Sequence, residues 1–409
     1  MAIPQIPLGL ASPICADLRQ MQTSANTNVV QPLFNSGRAW LLATTGVGVK
    51  VLYIQSFEES GVMADGDSIY LLWEYFPTSA VNSAGGEGCF AGAIQGDRDG
   101  TTGGWSVQGV GPCRAGISES SLGTGTYFMD GNGNETGADD GFGFMSSVAK
   151  TWLGLKITRV SSTQVTVIPY RNGVAGTTLT HNAAGGVGTL NFKTFRSGNL
   201  NGLAKGGAIG MEVGDVFYSS AAMPDLTSKI VHSLPNSDGA TLDWVKGSGG
   251  VGSYTEWDDA LGSYSATDYN TTGSQTVAKK QLSGFAALSI PSTAAIKLVS
   301  LYGTSSLNAT TYDSTREFGI TASATDLEKD ITWNGDRAAA LFTGGGMSRY
   351  FETRGDASAW TPATVDSDVV YCRQAAAAGA REWRVFAHGK LCWYVPAVTG
   401  FPHTSVMMF

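Results

Sequence analysis

Apolar and polar residues alternate along most of this chain, in short runs closed by Gly, Asn, Asp or Pro. A period of two places alternate side chains on one face, the pattern of a half-buried strand. The clearest run is Asp67–Pro77, DSIYLLWEYFP, rich in aromatic and β-branched residues and closed by Pro77. Thr151–Thr180 follows the same rule. Trp152, Leu153, Leu155, Ile157 and Val160 form one strand and Ser161-Ser162 a turn. Val165–Tyr170 returns, with Val165, Val167 and Pro169 on one face, and Arg171-Asn172-Gly173 makes a second tight turn with the usual Asn-Gly hairpin pair. Further strands are predicted at Ala39–Thr44, Val49–Gln55, Cys89–Gln95, Trp105–Val110, Asn191–Phe195 and Ile209–Ser219. The Gly-rich, acidic stretch Asp130–Gly143 reads as a loop.

A polar stretch bracketed by Pro224 and Pro235 reads as a boundary. Beyond it, strands are predicted at Thr241–Val245, Gln275–Leu288, Ala295–Tyr302, Glu317–Ala322, Lys329–Trp333, Met347–Glu352 and Asp368–Arg373. Long helical periodicity is missing. The final segment carries two short strand candidates, Glu382–Phe386 and Lys390–Val395, set as a hairpin around Ala387-His388-Gly389-Lys390, and an apolar end, SVMMF. The pattern predicts an all-β chain of two antiparallel, jelly-roll-like β-sandwiches. The expected layout is an N-terminal arm (1–36, with a short helix around Ala16–Thr23), a first sandwich (37–222), a linker (223–237), a second sandwich (238–375) and a C-terminal tail (376–409).

Composition sharpens this. Of 409 residues 54 are Gly, and 15% are charged. Ordinary domains have about 7% Gly and about 25% charge, so the bias favours tight turns and a low-charge β surface. A hydrophobic content of 42% supplies real cores. The net charge of −8 and the lack of a basic stripe exclude a duplex-binding protein and make an anionic membrane surface a poor partner. No apolar run reaches the ~18–20 residues of a membrane span. The first twenty residues hold three prolines and no basic n-region, so synthesis in a cytoplasm without export by a signal peptide is expected. Five cysteines, Cys15, Cys89, Cys113, Cys372 and Cys392, lack metal-ligand spacing. Free thiols are expected, with a Cys89–Cys113 or Cys372–Cys392 bridge left open.

Candidate chemistry is sparse. Asp130, Asn132 and Asn134, with Asp139 nearby, place hard oxygens at alternate positions, the donor type that calcium takes. An EF-hand is excluded, because its sixth and twelfth positions hold Glu135 and Gly141. A plain solvated loop is the competing reading. Tyr254, Trp257, Tyr264 and Tyr269 cluster at the start of the second block and could stack on sugars, fill an interface or pack a core. Glu212 and Asp215 are the nearest approach to a glycosidase pair, but odd spacing on a regular strand sends them to opposite faces. His181, His232, His388 and His403 stand apart from one another. On these grounds a chain without enzymatic activity is expected.

Three segments carry a resemblance: Asp67–Pro77, Trp152–Arg171 with Asn172-Gly173, and Ile209-Gly210-Met211-Glu212-Val213-Gly214-Asp215-Val216. They are similar to a concanavalin-like, laminin-G-type jelly roll. The second block resembles the β-sandwich of tailed-bacteriophage virion proteins, through Thr255–Asp259, Asp268-Tyr269-Asn270, Ala295–Leu301, Ala359–Ala363 and Val365-Asp366. Ser367–Tyr371 departs from the apolar, Glu- and Gly-containing strand expected after the Ala-Trp-Thr segment. The resemblance implies a virion component (fibre, spike, collar or capsid decoration) that partners other virion proteins and itself, most often as a trimer. It also implies calcium as a candidate ion on rim loops such as that of Asp130. The alternative is a carbohydrate-binding module for a host-surface glycan, followed by a polysaccharide hydrolase.

Overall fold

The computed structural model describes residues 62–77, 113–120, 123–130, 134–142, 149–190, 192–199, 210–258, 267–272, 279–307, 316–321, 345–354, 357–374 and 383–397. It also describes strands at 6–8, 26–30, 38–43, 51–55 and 87–95, with Asn35 and Asn132. Expected features at Ala16–Thr23, Trp105–Val110 and Lys329–Trp333, and the apolar end, lie outside the described residues.

In chain order the first set of strands is β1 (Ile6–Leu8), β2 (Asn26–Val30), β3 (Arg38–Ala43), β4 (Val51–Gln55) and β5 (Ser68–Pro77). Next come β6 (Glu87–Gln95), β7 (Arg114–Ser120), β8 (Gly123–Met129), β9 (Glu135–Asp139) and β10 (Thr151–Ser161). β11 (Gln164–Arg171), β12 (Val174–Ala175), β13 (Leu179–Asn182), β14 (Phe192–Asn199) and β15 (Gly210–Ser219) close the set. The second set begins with β16 (Lys229–Ser233), β17 (Pro235–Leu242), β18 (Val245–Lys246), β19 (Asn270–Thr271) and β20 (Lys279–Phe285). It continues with β21 (Ala295–Leu307), β22 (Arg316–Thr321), β23 (Gly345–Phe351), a short helix α1 (Pro362–Ser367), β24 (Val369–Gln374) and β25 (Trp383–Val395).

The described residues are nearly all β and build four antiparallel sheets. The first is nine-stranded, in the order β12-β11-β10-β5-β15-β3-β2, with β1 on β15 and β13 on β11. The second is six-stranded, β4-β14-β6-β7-β8-β9. The third, also six-stranded, runs β18-β19-β25-β21-β23 with β16 on β25, and the fourth is β17-β20-β24-β22. Alternation decides what each sheet buries. Ile69, Leu71, Trp73, Leu153, Leu155, Ile157, Val165 and Val167 face the second sheet and meet Ile117, Phe128, Phe192 and Phe195 in one core. Val299, Leu301, Trp383, Val385 and Cys392 of the third sheet meet Ile320, Val370 and Cys372 of the fourth in another.

A third apolar cluster joins the two sandwiches. Leu72, Trp152 and Phe217 point away from the first core, and Ile230, Leu298, Leu391 and Trp393 point away from the second. They meet in a seam lined by Met223 and Leu226 of the connecting segment. The four sheets therefore stack in the order second, first, third, fourth. Residues 223–237, read as an exposed linker, are instead part of the packing. β16 pairs with β25, Lys229 opposite Tyr394, and Ile230 enters the seam.

Two bulges redirect side chains. On β15, Gly214 and Asp215 together oppose Glu74, because Val213 pairs with Tyr75 and Val216 with Trp73. On β25, Phe386 is the extra residue, since Thr304 pairs with Ala387 and Ser305 with Val385. An extra residue shifts the alternation by one, so Trp383 and Val385 precede the bulge facing the core, and Cys392 and Tyr394 still face it afterwards. The expected hairpin of Glu382–Phe386 with Lys390–Val395 is thus corrected to one long strand, Trp383–Val395. The Asn172-Gly173 turn forms as expected, with φ of 50° and 82° at its two central residues. The alternation predicts none of β7, β8 and β9, and β9 lies within the stretch expected as a loop. Cys113, Cys372 and Cys392 are free and buried, so neither candidate bridge forms.

Candidate functional site

Asp130 is buried at the end of β8. Its Oδ1 accepts the backbone N–H groups of Asn132 (2.8 Å) and Asn134 (2.9 Å), and its Oδ2 accepts the Asn134 side-chain amide (2.9 Å). His181 Nε2 lies 3.3 Å from Oδ2, and the Thr136 hydroxyl 2.9 Å from His181 Nδ1. With Asp130 accepting, Nε2 is the ring nitrogen that donates to it. Burial alone would raise the Asp130 pKa, but the hydrogen bonds from Asn134, Asn132 and His181 outweigh it and hold the carboxyl below its ordinary value. The Asn132 amide donates to Gly186 O (3.0 Å), and Asp139 accepts from Gly141 N (2.8 Å). Each oxygen of Asp130 is therefore engaged in shaping the turn and tying the β8–β9 edge to β13. Among the described residues no group of three or more His, Cys, Asp or Glu could hold a metal ion.

The aromatic group is dispersed. Trp257 is wholly buried, donating to Val385 O (2.9 Å) and lying edge-on to Trp244 and His388. Tyr269 packs on Phe386, beneath the Arg384 guanidinium and against Gly247. Tyr254 is half-buried, its backbone N–H held by Asp238 (2.7 Å), and Tyr264 lies outside the described residues. Among the described residues, these side chains do not form a shared ligand platform.

The carboxylates of β15 need a correction. The bulge places Glu212 and Asp215 on the same outer face of the nine-stranded sheet, not on opposite faces, and Glu74 shares it. This face is closed at that end. Glu74 and Asp215 are buried. Glu74 pairs with Lys150 (3.0 Å) and accepts from Asn35 N (2.7 Å) and Asp215 N (3.3 Å). Desolvation raises the Glu74 pKa, with Lys150 and these hydrogen bonds acting against it. Asn35 reaches on to Leu226 O (3.3 Å) and Ser228 O (2.8 Å), so the cluster clasps the connecting segment to the sheet.

The open part of the same face has an ordered surface. Pairing registers set its side chains in rows. At the rim, the Gln164 amide donates to Asn182 Oδ1 (2.7 Å). The next row is entirely hydroxylic: Thr180, Thr166, Thr158 and Ser68, the last two sharing a hydrogen bond of 2.8 Å. The third row is Ile168, Lys156, Tyr70 and Ser219, and the fourth is Tyr170, Gly154, Leu72 and Phe217. Leu72 and Phe217 already belong to the seam. Gly154 leaves room that Met223 takes, as a Cβ there would stand 3.2 Å from its sulfur. Thr180 and Asn182 are exposed, and Thr166, Thr158, Ser68, Lys156, Tyr70, Ile168 and Tyr170 are half-buried. These open rows carry no carboxylate. Sequence reading named none of them as a site, because each is an ordinary outward strand residue, and only register reveals their grouping.

No family model matches the chain, and none of the curated proteins does. Solved structures similar to it include an endo-β-1,4-glucuronan lyase from the fungus Trichoderma reesei, at 13% identity and a TM-score of 0.37, covering 50% of this chain and 91% of that one. An alginate lyase from a Chlorella virus aligns at 13% identity and 0.36, over 54% of this chain and 100% of the other. A carbohydrate esterase from the Shiga toxin-encoding bacteriophage phi24B aligns at 13% identity and 0.32, over 54% and 91%. These likenesses concern β-sandwich architecture. With two lyases and an esterase among these neighbours, the expectation of a chain without enzymatic activity is withdrawn.

Proposed function

We propose that the chain is a carbohydrate-binding protein whose ligand lies on the open rows of the nine-stranded sheet. One observation carries this reading: hydroxyls, amides, two tyrosines and a lysine share the open rows of one face, and those rows carry no carboxylate. Sugars present hydroxyl edges and apolar C–H faces. Ser and Thr hydroxyls both donate and accept, and tyrosine offers an apolar ring with a polar tip. Strands are about 4.8 Å apart, so the four-strand hydroxyl row has the width of a short oligosaccharide. Isothermal titration against a glycan panel tests the assignment. Tyr70→Ala combined with Tyr170→Ala is expected to weaken binding about tenfold, near 1.4 kcal/mol, with the melting temperature nearly kept because both rings are half-exposed. A wild-type chain that binds no glycan, or a double variant that binds as well as wild type, overturns it.

A second reading, assembly as a virion structural component with other virion proteins and copies of itself, is favoured by the seam. An apolar core between the sandwiches makes a stiff building block. Light scattering on the purified chain is expected to give a closed oligomer, a trimer first. A chain that stays monomeric at all concentrations counts against self-assembly.

A further inference from the structure

We infer that the sugar taken by this face is acidic, carrying carboxylate or sulfate groups; the inference rests on the carbohydrate-binding reading above. Lys156 stands in the middle of the third row, between Tyr70 and Ile168 on the neighbouring strands, with Gly154 and Thr158 before and after it on its own face. Its ammonium lies 5.7 Å from the Tyr70 ring centroid. Among the described residues no carboxylate pairs with it.

Several other described cations are held internally. Lys150 is held by Glu74, Arg159 by Asp65, Lys246 by Glu256 and Arg354 by Asp368. Lys390 is held by the carbonyls of Val365 and Asp368. In a chain of net charge −8, a cation set among hydroxyls and a tyrosine ring, with no carboxylate partner among the described residues, is placed to meet an anion from outside. Of the carboxylates of the same face, Glu212 and Asp215 sit on β15 opposite Phe76 and Glu74, and Glu74, the one on the strand next to Lys156, lies beyond Leu72, buried and paired with Lys150. It therefore does not compete for Lys156. The overall negative charge opposes a polyanion at a distance. At physiological salt the screening length is about 8 Å, so the local cation governs contact once the sugar is on the face. The hydroxyl row then supplies donors to the remaining acid oxygens.

An exposed ion pair is worth a few-fold in affinity, about fivefold at its upper end. The test titrates the full chain with a uronate oligosaccharide, a sulfated oligosaccharide and a neutral oligosaccharide of equal length, at low and high salt. Wild type is expected to prefer one or both acidic ligands about fivefold at low salt, and the preference to collapse toward unity at high salt. Lys156→Gln collapses it at low salt, and Lys156→Arg retains it. The two acidic ligands separate carboxylate from sulfate recognition. Equal affinity of wild type for neutral and acidic ligands, or a preference that survives Lys156→Gln, overturns the acidic-sugar inference and leaves the platform standing. Failure of every ligand to bind overturns the platform and the inference with it.

Discussion

Lowering the pH from 6.5 toward 4.5 is expected to cost the fold about 2–3 kcal/mol through one histidine. His388 is wholly buried on β25, its ring edge-on to Trp257 at 4.6 Å and tilted against Phe285 at 5.6 Å. Its Nε2 lies 3.3 Å from the Ser283 hydroxyl. Burial pushes its pKa down from 6.5 to about 3, because the charged ring would lose its hydration there. The folded protein thus keeps His388 neutral at a pH where the unfolded chain protonates it. Between the two pKa values the unfolded state binds one more proton, and stability falls as pH falls by about 1.4 kcal/mol per unit. Above pH 6.5 the contribution is complete. Glu74 acts in the opposite sense, since its raised pKa makes the folded state bind the extra proton. Its contribution is full below its unfolded value of 4.5 and is lost as pH rises through the folded value. The wild-type curve is therefore the difference of two slopes, and a variant isolates the first. His388→Leu is expected to be less stable at pH 7, having lost the Ser283 contact, yet flatter with acidification. Urea unfolding of both proteins at pH 7, 6, 5 and 4.5 measures this. Parallel curves would show that His388 titrates alike in both states.

Much of the fold is legible in the sequence, and the failures have physical causes. Asp67–Pro77 and Thr151–Tyr170 alternate cleanly because each has one face in a core, and the structure places β5, β10 and β11 there. β7, β8 and β9 are rich in Gly, Ser and Thr, and the acidic Gly-rich loop leading to β9 hid a strand whose outward residues are exposed. The bulges misled most. A regular two-residue period places Glu212 and Asp215 on opposite faces, and the extra residue on β15 reverses that. On β25 the extra residue at Phe386 breaks the alternation just where Gly389 suggests a turn, so one strand reads as two. The Asp130 loop was legible as a cluster of oxygens, but composition does not distinguish oxygens that bind an ion from oxygens that accept their own loop's N–H groups. The open rows are illegible for a different reason. Thr180, Thr166, Thr158 and Ser68 come from four strands, and long-range pairing alone sets them side by side.

Removing the Trp393 side chain is expected to lower stability by about 3–5 kcal/mol and to split one unfolding transition into two. Trp393 is 2% exposed and points out of the third sheet, its ring 5.2 Å from Phe217, which in turn lies 6.1 Å from Trp152. Each sandwich has a complete core of its own. The seam is therefore where one sandwich senses the folding of the other, with the Glu74–Lys150–Asn35 clasp beside it. A cavity at Trp393 acts on that coupling more than on either core. Calorimetry of the wild type should give one transition, and Trp393→Ala two, one for each sandwich. Phe128→Ala is the matched control. It deletes an equally buried ring inside the first core, so it lowers the transition while the seam keeps the sandwiches together. A single sharp transition for Trp393→Ala, merely shifted down, would place the coupling elsewhere. The seam also bears on binding. Leu72 and Phe217 stand in the same row as Tyr170, next to the row of Lys156 and Tyr70. Loosening the seam then frees Met223 from the space over Gly154, and glycan affinity should fall with stability although Trp393 reaches this face only through seam residues such as Phe217.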